Sequence, residues 1–228
     1  MTLQLHYFPT LNGHKVTIAL EEMDLPYDIV LVNILEGDQH QPEFLAINPN
    51  GRIPAMVDPD AEGGSVTIFE SAAILQYLGR KTGQFYPENE RTRAHIDSWL
   101  FWQMAGLGPV SGQVNWFTRV SRKPELADAA GTEYALNRFR NETKRLFGVL
   151  ERGLEGRDFL CGDYSIADMC CWTWIDKYPQ NGGGLDDFPS VAAWHERIAA
   201  RPAVKRALEA GVDLLPDEMR RKFAEARG

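Results

Sequence analysis

From residue 3 to about 82, short apolar runs alternate with stretches whose apolar positions recur at helical spacing. Leu3 to Phe8 predicts a first strand. His14 to Asp24 predicts a helix with Val16, Ala19, Leu20 and Met23 on one face, and Tyr27 to Val32 a second strand. Pro42 to Ile47 reads as a short helical turn, Pro54 to Val57 as a third strand, Asp58 to Gly64 as a turn and Val66 to Phe69 as a fourth strand. Ile74, Tyr77 and Leu78 then share the face of a helix running from Ser71 to about Lys81. After Thr82-Gly83-Gln84-Phe85-Tyr86-Pro87 the strand signals nearly vanish and long helical patterns take over, which predicts a domain boundary. Arg91 to about Val120 reads as one long helix interrupted at Gly106-Leu107-Gly108-Pro109, where proline removes a backbone donor and should bend it. A second long helix is expected from about Pro124 to Leu154. Ser165 and Asp168 make a capping-box-like pair ahead of a helix holding Trp172 and Trp174. Pro189 to Ala200 and Pro202 to Ala210 complete the bundle, and the charged tail from Pro216 to Gly228 is expected to be loosely held.

The order β-α-β then β-β-α is that of a thioredoxin-like domain. The expected fold class is therefore α/β plus all-α: a thioredoxin-like domain over residues 1–83, then an all-helical bundle domain over residues 90–228. The 228 residues, 44% hydrophobic and 25% charged, are enough to build substantial cores. A net charge of -8 disfavours nucleic acid and anionic membranes as partners, because binding them needs clustered Lys and Arg. The first residues lack the basic flank and long apolar stretch of a signal peptide, and no later run approaches the roughly 18 apolar residues of a membrane span. A cytoplasmic location is expected. A thiol-redox domain of this order would carry reactive cysteines just after its first strand, yet Pro9-Thr10-Leu11-Asn12-Gly13-His14 has none. The three cysteines, Cys161, Cys170 and Cys171, come late, lack zinc-type spacing, and read as small buried fillers. No metal is expected, and any sulfur chemistry must use a borrowed thiol.

Four segments then resemble landmarks of the glutathione transferase superfamily, over essentially the whole length. They are Thr10-Leu11-Asn12-Gly13-His14-Lys15, the run from Asn48 to Ala55, the pair Glu70-Ser71, and Ser165-Ile166-Ala167-Asp168. Within the superfamily, the start from Thr10 to Lys15, together with Leu100-Phe101-Trp102-Gln103, Gly106-Leu107-Gly108-Pro109 and Cys171-Trp172-Thr173-Trp174, looks most like the bacterial nu class. The resemblance implies the glutathione transferase fold, a homodimer, glutathione as cosubstrate, and disulfide-bond reductase activity using two glutathione molecules. Conjugation, or thioether and ether cleavage of aromatic compounds, is the alternative activity. A non-catalytic glutathione-binding regulatory role is the alternative from another class.

A tripeptide thiol with two carboxylates and an amine needs a backbone edge, an anion site at each end and one acid for the amine. The Ile53-Pro54 bond, cis as the resemblance implies, would turn the Ile53 backbone toward the cysteinyl amide groups. Ser71 opens a helix whose N–H groups and positive dipole end suit a carboxylate, and Glu70 suits the γ-glutamyl ammonium. Gln39 and Arg52 would hold the glycyl end. Thr10 and Asn12, at the mouth of the first helix, are the expected catalytic pair: a glutathione sulfur there would face N–H groups and the positive dipole end, with Thr10 donating its hydroxyl. Plain helix capping by Thr10 and a simple turn at Asn12 are the structural alternatives. Tyr7 is a rival hydroxyl, since other classes use an early tyrosine, but strand alternation leaves its ring facing either core or cleft. Trp116 and Phe117 are candidates for the wall of the second-substrate pocket. The resemblance suggests that Arg138 reaches a glutathione carboxylate across a dimer interface; a solvated helix face is the alternative. His14 and His195 are assigned to structure, since neither has a nucleophile-base set beside it.

Overall fold

The structure, a computed structural model, describes residues 2–123, 130–176 and 184–225. Strands β1 (Leu3–Tyr7), β2 (Tyr27–Leu31), β3 (Ala55–Asp58) and β4 (Val66–Phe69) form one mixed sheet in the order β2-β1-β3-β4. β1 and β2 are parallel, joined through helix α1 (Leu11–Glu22); β3 is antiparallel to both β1 and β4. This is the thioredoxin-like arrangement expected from the order of elements. The period-2 alternation of β1 puts Leu3, Leu5 and Tyr7 on one face and His6 on the other. Tyr7 lies against α1, while the His6 ring meets Phe44 of the short helix α2 (Pro42–Leu45) at 6.1 Å.

α1 starts at Leu11, three residues before the expected His14. Asn12 and Gly13 hide its first turn, because both are poor helix formers. A Cβ at Gly13 would stand 2.5 Å from the Phe8 carbonyl oxygen and 2.7 Å from the Tyr7 ring, so the first turn can cross the end of β1 only with glycine there. Residues 13 to 20 of α1 are all buried. The helix packs on α3 (Ser71–Thr82) and also on α9 (Pro202–Glu209). Thr17 Oγ1 donates to the Ala207 carbonyl at 3.1 Å, and Arg201 grips Glu22 with two hydrogen bonds of 2.6 and 2.8 Å.

By contacts the chain forms two compact units. One is Met1–Gln84 together with Ala200–Gly228; the other is Phe85–Ala199. The second unit holds α4 (Glu90–Trp102), α5 (Gly108–Val120), α6 (Ala130–Leu154), α7 (Ile166–Asp176) and α8 (Pro189–Ala199). The expected break in the long helix falls at Gln103–Leu107 as a π-helix, and Pro109 sits in the first turn of α5. Proline is tolerated there because the N–H it lacks belongs to the first turn. The expected start of the next helix at Pro124 lies outside the described residues. Past Pro216 the tail expected to be loosely held carries a further helix, α10 (Asp217–Glu225).

Asp168, fully buried in the first turn of α7, ties this unit together. Its carboxylate accepts from the backbone N–H groups of Leu160 and Ser165 at 3.0 Å each, from Ser165 Oγ at 3.1 Å and from Trp194 Nε1 at 2.9 Å. Burial still holds its pKa above the usual carboxylate range despite these donors.

Candidate functional site

Strand register gathers most of the expected ligand residues at one end of the sheet. Tyr7 pairs with Leu31, His6 with Ala55, and Ala55 with Phe69. The exit of β1 toward Thr10, the exit of β2, the Ile53-Pro54 entry to β3 and the exit of β4 into Glu70 therefore share an edge.

Thr10 is the N-cap of α1: its backbone is extended, and its Oγ1 accepts from the Gly13 N–H at 3.2 Å. Capping occupies a lone pair and leaves the hydroxyl its own proton, so one side chain can cap the helix and donate. Asn12 is half-buried in the first turn. No acidic side chain lies in that turn, so the positive dipole end is not offset locally. Tyr7, the rival hydroxyl, is fully buried and hydrogen-bonded to His14 Nδ1 at 3.0 Å. Its ring belongs to the core, where its hydroxyl meets the His14 ring.

The Ile53-Pro54 peptide is cis. Ile53 packs its side chain on the cluster of Val32, Phe44 and Ala55. Asn48, 1% exposed, fastens the preceding loop: its Nδ2 donates to the Arg52 carbonyl at 2.6 Å and its Oδ1 accepts from the Asn50 N–H at 3.0 Å. Gly51, at φ 60°, would bring a Cβ to 3.2 Å from the Gln39 carbonyl oxygen. Gln39 and the Arg52 loop are thus neighbours, with Gln39 half-buried and Arg52 exposed.

Glu70 is exposed and adopts φ 70° and ψ 116°, a strained backbone for a residue with a Cβ. Its carbonyl accepts from the Ile74 N–H at 3.0 Å, but its side chain does not cap the helix. Ser71 follows, 2% exposed, and accepts a hydrogen bond on Oγ from Lys15 Nζ at 3.4 Å. Lys15 is 0% exposed. Gly13, Asn48 and Lys15 stand within the sequence motifs without an expected role of their own. A glycine inside a helical pattern breaks the local rule, a signal that Gly13 gives in the sequence itself.

The remaining candidates lie in the second unit. Trp116 is 60% exposed on α5, whereas Phe117 stacks on Phe139 of α6 at 5.8 Å. Arg138, exposed on α6, lines an open groove of about 750 Å³ with Val110, Tyr134, Asn137, Phe139 and Arg145. His195 stacks on Trp172 at 5.3 Å. Cys170 and Cys171 are buried and none of the three cysteines is in a disulfide. Burial, reinforced by the Asp168 charge, pushes the Cys161 thiol up to about 12, far from a thiolate at neutral pH. Among the described residues no group of three or more His, Cys, Asp or Glu could hold a metal ion, and no helix is long and apolar enough to cross a membrane.

Two family models match the chain: the N-terminal domain of glutathione S-transferase over residues 11–81 and its C-terminal domain over residues 116–211. The disulfide-bond oxidoreductase YfcG of Escherichia coli strain K12 is 44% identical over 90% of this chain and 94% of its own length. A glutathione transferase from Burkholderia graminis, crystallised with two glutathione molecules per subunit, superposes with a TM-score of 0.86 at 42% identity, covering 92% of this chain and 88% of that one. Another from Pseudomonas putida, with one glutathione disulfide per subunit, gives 0.82 at 37% identity over 92% and 91%. The four-stranded mixed sheet at the amino-terminal end, the helical region that follows and these matches lead to one conclusion: the chain belongs to the glutathione S-transferase family.

Proposed function

We propose that the protein is a glutathione-dependent disulfide reductase that admits two glutathione molecules, or one glutathione disulfide, and contributes no sulfur of its own. The observation that carries this reading is the mouth of α1, whose first turn holds no acidic side chain and which has Thr10 and Asn12 where a redox cysteine would stand. The state of the three cysteines supports it, two buried and the third with its thiol pushed up to about 12. So do the glutathione-bound relatives and the oxidoreductase YfcG.

In this mechanism the Glu70-Ser71 corner holds the γ-glutamyl end of the first glutathione, the Ile53 backbone holds its middle, and Gln39 and Arg52 hold its glycyl end. Its sulfur sits at the α1 mouth, where the dipole and the Thr10 hydroxyl favour thiolate. The thiolate attacks one sulfur of the substrate disulfide. A glutathione mixed disulfide forms, and the other half leaves as a thiolate, stabilised by the Asn12 amide until it is protonated from water. The second glutathione, as thiolate, attacks the glutathione sulfur of the mixed disulfide and releases glutathione disulfide and the second substrate thiol.

Activating the thiol is the smaller part of catalysis. Lowering its pKa from about 8.5 to about 6.5 raises the thiolate fraction at neutral pH roughly 25-fold, and a nucleophilicity slope near 0.45 returns about 8-fold. The net gain is roughly threefold. Holding two thiols beside one disulfide supplies far more, an effective molarity worth about 7 kcal/mol or above in well-aligned cases. The reading extends to a wide cleft, a second-substrate wall at Trp116 and Phe117, a homodimer in which Arg138 reaches a glutathione carboxylate across the interface, and a cytoplasmic setting.

Glutathione-dependent turnover of hydroxyethyl disulfide compared with a chloro-nitroaromatic tests it. The disulfide should be the far better substrate. Preference for the aromatic would favour conjugation, and glutathione binding without turnover of either would favour a binding module.

A further inference from the structure

Gln39 and His40 are neighbours in the short 3-10 turn Asp38–His40, in the segment expected to hold the glycyl end of glutathione. Gln39 Nε2 meets Nε2 of the exposed His40 ring at 3.2 Å. The other end of the same amide, Oε1, is buried and meets no hydrogen-bond donor among the described residues. An amide nitrogen has two protons to donate and an amide oxygen only accepts, so a carboxylate can be met by the nitrogen end alone. Gln39 thus keeps that end at the exposed ring and its oxygen inside, although a buried acceptor is left unpaired among the described residues. The imidazole explains the orientation: an Nε2 that accepts one N–H leaves the second for a ligand. The ring is seated as well. A Cβ at Gly51, the residue before Arg52, would stand 3.5 Å from His40 Nδ1 and 3.2 Å from the Gln39 carbonyl oxygen, and the His40 backbone N–H donates to the Gly37 carbonyl at 2.9 Å.

We infer that His40 is a positioning residue for the glycyl end of glutathione: its Nε2 accepts from the Gln39 amide and so presents the second N–H of that amide to the glycyl carboxylate. The inference rests on the reading of Gln39 and Arg52 as the glycyl site. It requires the ring to carry its proton on Nδ1. A ring protonated at Nε2 would hold the amide the other way round and set its oxygen against the carboxylate. His40 acts through Gln39 on binding, so its effect falls on the affinity for glutathione and not on the chemical step.

Calorimetry with two ligands tests this: glutathione, and γ-glutamyl-cysteine ethylamide, in which a methyl group replaces the glycyl carboxylate. Gln39→Leu sets the scale and should weaken glutathione roughly 10- to 100-fold, the range for losing a hydrogen bond to a charged group, with the ethylamide within about 2-fold. His40→Leu keeps the amide but frees its rotation, and should weaken glutathione by a smaller factor, about 3- to 10-fold, with the ethylamide again within about 2-fold. Added to Gln39→Leu, it should change little. His40→Gln, which keeps an acceptor on a side chain of similar reach, should restore most of the ratio. In turnover, KM for glutathione should rise in His40→Leu more than kcat falls. Nitrogen-15 spectra of the glutathione complex should show His40 Nε2 without a proton and Nδ1 with one. Because both ligands are measured on one preparation, the ratio of affinities does not depend on how much of a variant folds. An unchanged ratio in His40→Leu, or a complex in which Nε2 carries the proton, would overturn the role of His40 and leave the glycyl reading standing. If the wild-type protein binds the two ligands equally, or binds neither, the glycyl reading fails and the inference fails with it.

Discussion

The two units each bury a charged side chain at the start of a helix, and they use it differently. Asp168 spends its carboxylate inward, on four donors contributed by Leu160, Ser165 and Trp194, so its network closes within the protein. Lys15 bonds to a hydroxyl that stands at the opening of α3, beside the exposed and strained Glu70. A buried charge whose partners all lie inside the core specifies the fold. One that reaches a helix mouth beside an exposed residue on strained backbone lies where the fold opens outward.

The largest expected effect would break the first half of this contrast. Asp168→Ala strands buried N–H donors and should cost about 3–5 kcal/mol of stability by urea unfolding, while turnover per folded molecule is unchanged. A variant that keeps its stability, or that loses turnover at full folding, would put Asp168 on the functional side.

Gly13→Ala comes next, because its Cβ would meet the Phe8 carbonyl oxygen at 2.5 Å. The first turn of α1 has to shift, so about 1–3 kcal/mol should be lost together with glutathione affinity, read by thermal melting and calorimetry. Thr10→Val sharpens the second half. Losing one donor to a thiolate should lower turnover of hydroxyethyl disulfide about 10-fold, near 1.4 kcal/mol, and losing the cap about 1 kcal/mol of stability, whereas Thr10→Ser should recover both.

The smallest effect concerns a closed pair far from the helix mouths. Burial alone would raise the Asp58 pKa, but Lys81 at 2.7 Å, the Tyr77 hydroxyl at 2.6 Å and the Asp60 N–H outweigh it and hold it below the ordinary 3.8. A folded value below the unfolded one contributes stability above the unfolded value, and that stability is lost as the pH falls through the folded value. Asp58→Asn should therefore flatten the acid limb of stability against pH, with urea midpoints from pH 3 to 6 as the readout.

Much of the amino-terminal sheet was legible in the sequence because its strands are short apolar runs set between helical patterns and turn residues. β4 lies where it was expected, and the others are within a residue or two of their expected ends. The start of α1 was not legible. Its first turn carries Asn12 and Gly13 for tertiary reasons, the glycine because the Tyr7 ring and Phe8 carbonyl leave no room for a Cβ, and propensity cannot register that. The break in the long helix was read from Pro109, yet the backbone changes pitch before it, at Gln103–Leu107, since a proline in a first turn disturbs little. At the site, the Thr10, Ile53 and Glu70-Ser71 motifs were readable as a set, but strand spacing could not tell which way Tyr7 faced. Contact with His14 decides it. Lys15 was hidden for the same reason: a lysine on a helix reads as solvated until the neighbour that covers it is known.

The central claim is that the fold supplies the docking geometry and glutathione supplies every reacting sulfur. Its most direct test is glutathione-dependent turnover of hydroxyethyl disulfide by a variant lacking Cys161, Cys170 and Cys171, scaled to folded protein by circular dichroism. Turnover within about 2-fold of the parent is predicted, since the buried pair and the poorly ionised Cys161 take no part. Loss of turnover in a variant that folds as fully as the parent would contradict the claim.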